Sequence, residues 1–262
     1  MDDISALDAI PLWALFILTL FLVLLSIEGG YRLGRYRLTR SEHEKEAPVG
    51  AMVAAMLGLL AFMLAFTFGL AAQRFDTRRQ VLLDEANAIG TTYLRAAMLP
   101  ERGEELRSLL RKYVEVRLDA VRFDDVSAGI RESESLQNEL WSNTVDLARK
   151  SPDSIVVGLF VQSLNELIDL HATRVAAGVR SRIPRPIWLA LFAVAAIALG
   201  AMGYHAGLVR TSRPLAILAV GVTFTAVIGL IADLDRPTQG IVRVSQQALI
   251  DVRESMRAPA PP

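Results

Sequence analysis

Four stretches of the chain contain no Asp, Glu, Lys or Arg: Ala9–Ile27, Ala47–Gln73, Pro186–Val209 and Pro214–Ala232. They form two close pairs. The segment between the pairs, Arg74–Arg185, holds 34 of the 56 formal charges. A hydrocarbon core roughly 30 Å thick is crossed by about 20 apolar residues in a helix. The stretches hold 19, 27, 24 and 19 residues, so each can span. This pattern predicts an all-α integral membrane protein with four transmembrane helices in a 2+2 arrangement. A helical domain is inserted between the second and third. The predicted domains are a hairpin over 1–73, the insert over 74–185, a second hairpin over 186–234 and a tail over 235–262.

Small residues mark helix contacts in lipid, where apolar surface alone does not drive association. The second stretch carries Gly50, Ala54 and Gly58 at fourfold spacing, continued by Ala61, Ala65, Gly69 and Ala72. The third carries Ala193, Ala196, Gly200, Gly203 and Gly207. After Gln73 the helical period persists through Phe75, Leu82, Ile89 and Ala96, and the first breaker is Pro100. One continuous helix from near Gly50 to near Met98 is predicted, roughly 70 Å long at 1.5 Å per residue.

Three more helices follow. One opens at Pro100-Glu101, with Leu106, Leu110, Tyr113, Arg117 and Val121 at helical spacing, and ends at Asp124–Gly129. The next spans about 132–149 on Leu136, Leu140, Trp141, Thr144 and Leu147. Ser151–Ser154 breaks the pattern and caps a third, which runs through Leu164, Leu167, His171 and Val175 to about Arg182. Val242, Ser245, Gln246 and Leu249 suggest a short amphipathic helix, and Pro259–Pro262 a frayed end.

Charge placement then speaks to topology. The flank Met1-Asp2-Asp3, with Asp8, precedes the first stretch, and Glu28–Arg32 follows it. That order reverses a secretory signal peptide, so the stretch reads as a retained span. The first short loop carries Arg32, Arg35, Arg37, Arg40 and Lys45, and the second Arg210 and Arg213. The positive-inside rule puts both loops in the cytoplasm and the termini and insert outside. The insert has 17 basic and 17 acidic residues, and the tail's four Arg weigh the other way. The net charge of zero gives no field for nucleic acid. The absence of cysteine removes thiolate chemistry and sulfur ligands.

Three polar clusters stand out. At the end of the fourth stretch, Asp233, Asp235 and Arg236 sit at the membrane boundary, either as a mouth or gate of an ion path or as a span stop that anchors the tail. Glu85 and Asn87 interrupt the apolar face of the long helix. Asn165, Glu166, Asp169 and His171 crowd one helix of the insert. Together these six form a candidate buried polar network that fixes helix register. Glu85, Asp169 and His171 could alternatively supply ligands to a metal. Glu166 and His171 lack the Glu-x-x-His spacing of bundle metal sites, so no metal is assigned. GxSxG, P-loop and HExxH motifs are absent, and His43, His171 and His205 lie in unrelated settings. No catalytic residue, enzyme activity or cofactor is expected.

Glu85–Thr91, Leu164–His171 and Asp233–Pro237 with Val244-Ser245-Gln246 resemble the bacterial bestrophin-like domain family over roughly Pro11–Asp251. The resemblance implies a distant likeness to bestrophin anion channels, which are pentamers with four spans per subunit and a helical domain between the second and third. It implies a homo-oligomer in the bilayer of a bacterial inner membrane, with small inorganic ions as cargo. Bestrophins line a narrow neck with bulky apolar residues of the second span, which here offers Phe62, Phe66 and Phe68. Their inserted domain is cytosolic, whereas the loop charges here place it outside. The expected function is an oligomeric channel or channel-like pore. The alternative is a non-conducting scaffold or sensor assembled through its heptad helix.

Overall fold

The computed structural model describes residues 10–40, 46–122, 125–209, 214–236 and 240–257. The N-terminal acids, His43, Lys45, Asp124, Arg210, Arg213 and Pro259–Pro262 lie outside the described residues. The helices are α1 (Leu12–Arg40), α2 (Glu46–Ala96), α3 (Gly103–Arg122), α4 (Val126–Lys150), α5 (Ile155–Val175), α6 (Arg185–Leu208), α7 (Pro214–Asp235) and α8 (Gln247–Arg257). A π-helical turn, Ala176–Arg180, extends α5. No strand occurs among the described residues.

α1 is longer than the apolar pattern required, and the predicted continuous helix is present as α2. α1 continues thirteen residues beyond Ile27 as one helix. The segment that follows Ile27 has no proline before Pro48, and an i,i+4 pair, Arg32 Nε to Glu28 at 2.7 Å, supports it. α2 is unbroken over 51 residues because nothing in Ala47–Ala96 after Pro48 interrupts it. α4 begins at Val126, earlier than expected, because Asp125 accepts a bond from Ala128 N at 3.0 Å and caps it. Ser154 caps α5 in the same way through Val157 N.

The chain forms two compact units. The first comprises Met1–Gln73 and Arg182–Val242; the second comprises Arg74–Ser181 and Arg243–Pro262. The tail therefore divides, and α8 belongs with the charged insert.

In the first unit α1 packs chiefly on α6 and also on α7. Glycine permits the α1–α6 approach. A Cβ on Gly34 would lie 2.2 Å from the Tyr204 carbonyl oxygen, and one on Gly203 would lie 2.0 Å from that of Ile27. Gly30 meets Gly200, and Gly207 meets Tyr31 and Arg35, so the two helices run parallel. α7 runs the other way: Gly221 lies against Leu24 and Gly229 against Phe16. Of the small-residue stripes, that of the third apolar stretch makes this contact. Gly58 and Gly69 of the second face open space.

The second unit has a conventional apolar core built on Ile89, Leu106, Leu110, Leu140, Phe160, Leu164, Leu167 and Leu249. The heptad residues Leu82, Ile89 and Ala96 are buried in their own chain. They do not form an open assembly face, as the scaffold reading required. α3 packs on α4 and α8, and α4 on α5.

Among the described residues five helices are long and apolar enough to cross a membrane: α1, α2, α6, α7 and a fifth beyond the four expected, Ile155–Gly178 in α5 and its π-helical extension.

Candidate functional site

The second unit contains a buried ionic centre. Glu85 of α2 is fully buried. Its carboxylate is bound by Arg174 of α5 and by Arg117 of α3, whose Nε lies 3.3 Å from Oε1. Tyr113 of α3 donates its hydroxyl proton to Glu85 Oε1 at 2.9 Å. That leaves Tyr113 Oη as an acceptor. Gln137 of α4 donates to it at 3.3 Å, and His171 Nδ1 lies 3.0 Å away. With the Tyr113 hydroxyl donating to Glu85, His171 donates to Tyr113 Oη from Nδ1. Arg174 also donates to Gln246 Oε1 at 3.0 Å, just before α8.

Burial alone would push the Glu85 carboxyl up. Arg174, the nearby His171 ring, with Nδ1 3.8 Å from Oε1, and Arg117 overcome it and hold the group well below the usual carboxylate range. Burial, with the Glu85 charge added, drives the Tyr113 phenol far above its ordinary value. Glu85 is therefore a fixed anion and Tyr113 a fixed neutral donor. The centre joins α2, α3, α5 and the entry to α8 through charge-assisted bonds and α4 through the neutral Gln137–Tyr113 bond.

Of the six residues of the expected network, Glu85 and His171 meet here. Asn87, Asn165, Glu166 and Asp169 are exposed and do not join it. Asn165 and Asp169 flank a shallow open groove with Gln162, Glu166, Leu170 and Thr173. The considered metal set of Glu85, Asp169 and His171 does not converge, since Asp169 faces outward from α5. The partners Arg117, Arg174 and Gln137 were not singled out as site residues, nor was Tyr113. Arg117 and Tyr113 did leave a signal: a cation and a phenol on the otherwise aliphatic stripe of α3. Arg174 had only its position three residues after His171.

The second cluster closes the end of α7 in the first unit. Asp233, Asp235 and Arg236 are buried. Asp233 accepts from Ile241 N at 2.8 Å through Oδ1 and from Val242 N at 3.0 Å through Oδ2. Asp235 Oδ1 accepts from Ile183 N at 3.0 Å, and Arg182 donates to the Asp235 carbonyl at 2.6 Å. Arg236 donates to the Ile10 carbonyl at 2.6 Å. Gly240 has φ +138°, and a Cβ there would lie 2.0 Å from Asp233 Oδ1. The two carboxylates thus hold backbone at the points where the chain enters and leaves the unit. Phe62, Phe66 and Phe68 remain on the surface of α2, 68%, 59% and 38% exposed.

These features define an all-helical, multi-pass membrane protein. The chain belongs to the bestrophin-like family: the profile of the bestrophin-like domain matches residues 13–249. No curated protein matches it. Two crystal structures share the fold. One, of a membrane protein, has 15% identity and a TM-score of 0.66, and the match covers 92% of this chain and 95% of that one. The other, a point variant of a bacterial bestrophin homologue from Klebsiella pneumoniae, has 16% identity and a TM-score of 0.63, with 91% and 98% covered.

Proposed function

We propose that the chain is one subunit of an oligomeric, channel-like pore for small ions, with α2 lining the path. The observation that carries this reading is the uncovered face of α2. Met52, Met56, Leu59, Phe62 and Phe66 recur at helical spacing and are all exposed in the subunit. Gly69 continues the stripe with nothing within 4 Å of its Cβ position. Farther along the same helix Leu83 and Leu94 are exposed in the charged unit, and Met98 is exposed in the turn that follows it. Neighbouring copies arranged around α2 would cover one flank and leave another on an axis. Family membership and the shared fold add the bestrophin precedent, in which the second span lines the neck; the pentamer is taken from the same precedent.

In this reading α1, the first half of α2, α6 and α7 span, in the 2+2 arrangement. α5 stays outside despite its length. It carries Glu166, Asp169, His171 and Arg174, and His171 and Arg174 belong to the Glu85 centre. Phe62, Phe66 and Phe68 are the neck candidates. Asp233, Asp235 and Arg236 act as a structural corner of the mouth, since their polar groups are engaged by backbone. The loop arginines support an insert on the outer side of the membrane, and the bacterial family supports an inner membrane.

Purified protein in planar bilayers is expected to give unitary currents, and F66A to change their size. Silent bilayers containing verified oligomers would remove the channel reading and leave the non-conducting scaffold. A reporter inserted at the α3–α4 connection is expected to be active only outside the cell; cytoplasmic activity would reverse the orientation.

A further inference from the structure

α1 does not end where its apolar stretch ends. It carries Arg32, Arg35, Tyr36 and Arg37 onward on the same helix, all exposed. The glycine register with α6 fixes their depth. Gly207 lies against the Tyr31 carbonyl and the Arg35 nitrogen, and the charge-free run of α6 continues past it to Val209. Gly50, inside the charge-free run of α2, lies against the His205 ring two residues earlier on α6. The backbone at Arg32 and Arg35 is therefore level with the last charge-free turns of α6. Guanidinium groups at that depth extend to the phosphate layer rather than remain in hydrocarbon.

Helical spacing puts Arg32, Arg35 and Tyr36 on the side of α1 away from the contacts of Gly30 and Gly34. Arg32 binds Glu28 through Nε, leaving its terminal amino groups as further donors. Arg35 has no hydrogen bond or ion pair to any described residue. We infer that Arg32 and Arg35, flanked by Tyr36, bind the phosphate of an anionic phospholipid headgroup. The guanidinium fork matches phosphate oxygens, and tyrosine is at home at this level of a bilayer. An anionic lipid fits better than a zwitterionic one, whose own cation would sit beside two guanidiniums. Glu42, Glu44 and Glu46 follow in the sequence and offset the basic charge at long range, so the attraction is one of contact.

The test uses the full-length protein, delipidated in neutral detergent. Added phosphatidylglycerol is expected to raise the thermal midpoint and to remain bound in native mass spectrometry, whereas phosphatidylcholine does neither. R35Q removes a side chain with no described partner, so it should leave the lipid-free midpoint unchanged and cut phosphatidylglycerol retention several-fold. R32Q/R35Q should reduce retention further. Equal retention by R35Q, R32Q/R35Q and the parent protein would overturn the assignment. So would equal stabilisation by soluble glycerol phosphate, which would mark a free-phosphate site instead of a lipid one.

Discussion

The Glu85 carboxylate neutralises one of two guanidiniums that are themselves largely out of water, with Arg117 and Arg174 side chains 8% and 14% exposed. Removing one member of a buried ion pair costs about 3–5 kcal/mol, because the other charge is left without compensation. E85Q should therefore lower the thermal midpoint of the detergent-solubilised protein strongly. Adding R174M to E85Q should recover part of the loss, since it removes one stranded cation; a further additive loss would show that the pair is not coupled. The pH dependence has a definite sign. A carboxyl whose folded pKa is depressed contributes stability above its unfolded value of about 4.3, and loses it as pH falls through the folded value. The Glu85 contribution is thus intact at neutral pH and disappears only under strong acid. Midpoints measured downward from pH 7 should fall below about pH 4 in the parent protein, with a smaller fall in E85Q. The cluster was half legible in the sequence. Glu85 shows because it breaks an apolar heptad. His171 shows because an imidazole sits among leucines. Arg117 shows only as a cation on the apolar stripe of α3, and Arg174 looks like an ordinary surface cation until three dimensions bring both to one carboxylate. Asn87, Asn165, Glu166 and Asp169 misled for the converse reason: neighbours of a buried residue along a helix point elsewhere.

The packing of α1 on α6 depends on the absence of side chains at particular turns. G34V would place Cβ 2.2 Å from a backbone oxygen of α6, a separation that no rotamer relieves. Its expected result is loss of folded yield and a lower thermal midpoint in detergent. G69V is the matched control on α2, since nothing in the subunit lies within 4 Å of that position. It should leave the subunit's own stability intact. An equal loss in both would mean that helix propensity, and not contact, explains the glycines. The Asp233 corner adds a third glycine of a different kind. G240A meets both a left-handed backbone and the Asp233 carboxylate, so a destabilisation of roughly 1–3 kcal/mol follows from the strain alone. Element existence was legible throughout, because long apolar or heptad-patterned runs leave little choice of secondary structure. Which small-residue stripe makes the contact was not legible. Gly-rich faces on the second and third apolar stretches look alike, and only the register of the partner helix distinguishes them.

An exposed apolar face on a membrane helix has two natural coverings, lipid or a water path closed by other subunits, and these differ in what reaches a side chain. The absence of cysteine from the chain makes the distinction measurable. Phe66 and Leu18 are almost equally exposed in the subunit, at 59% and 57%, on α2 and α1 respectively. If α2 lines a conducting path, a thiol at position 66 meets water at least part of the time and ionises, and the thiolate is the reactive form. A thiol at position 18 faces lipid tails, where ionisation is suppressed. F66C in proteoliposomes should therefore be labelled by a membrane-impermeant, water-soluble thiol reagent, and its current should fall as labelling proceeds. L18C should be labelled far more slowly with no change in current. Oxidation should also give F66C disulfide-linked pairs, because residues ringed about a narrow axis approach within the Cβ separation of about 3.5–4.5 Å that a disulfide needs. Protection of both positions to the same degree, with no linked pairs, would place the phenylalanine face of α2 in lipid. The conducting path, if any, would then have to be built from another helix.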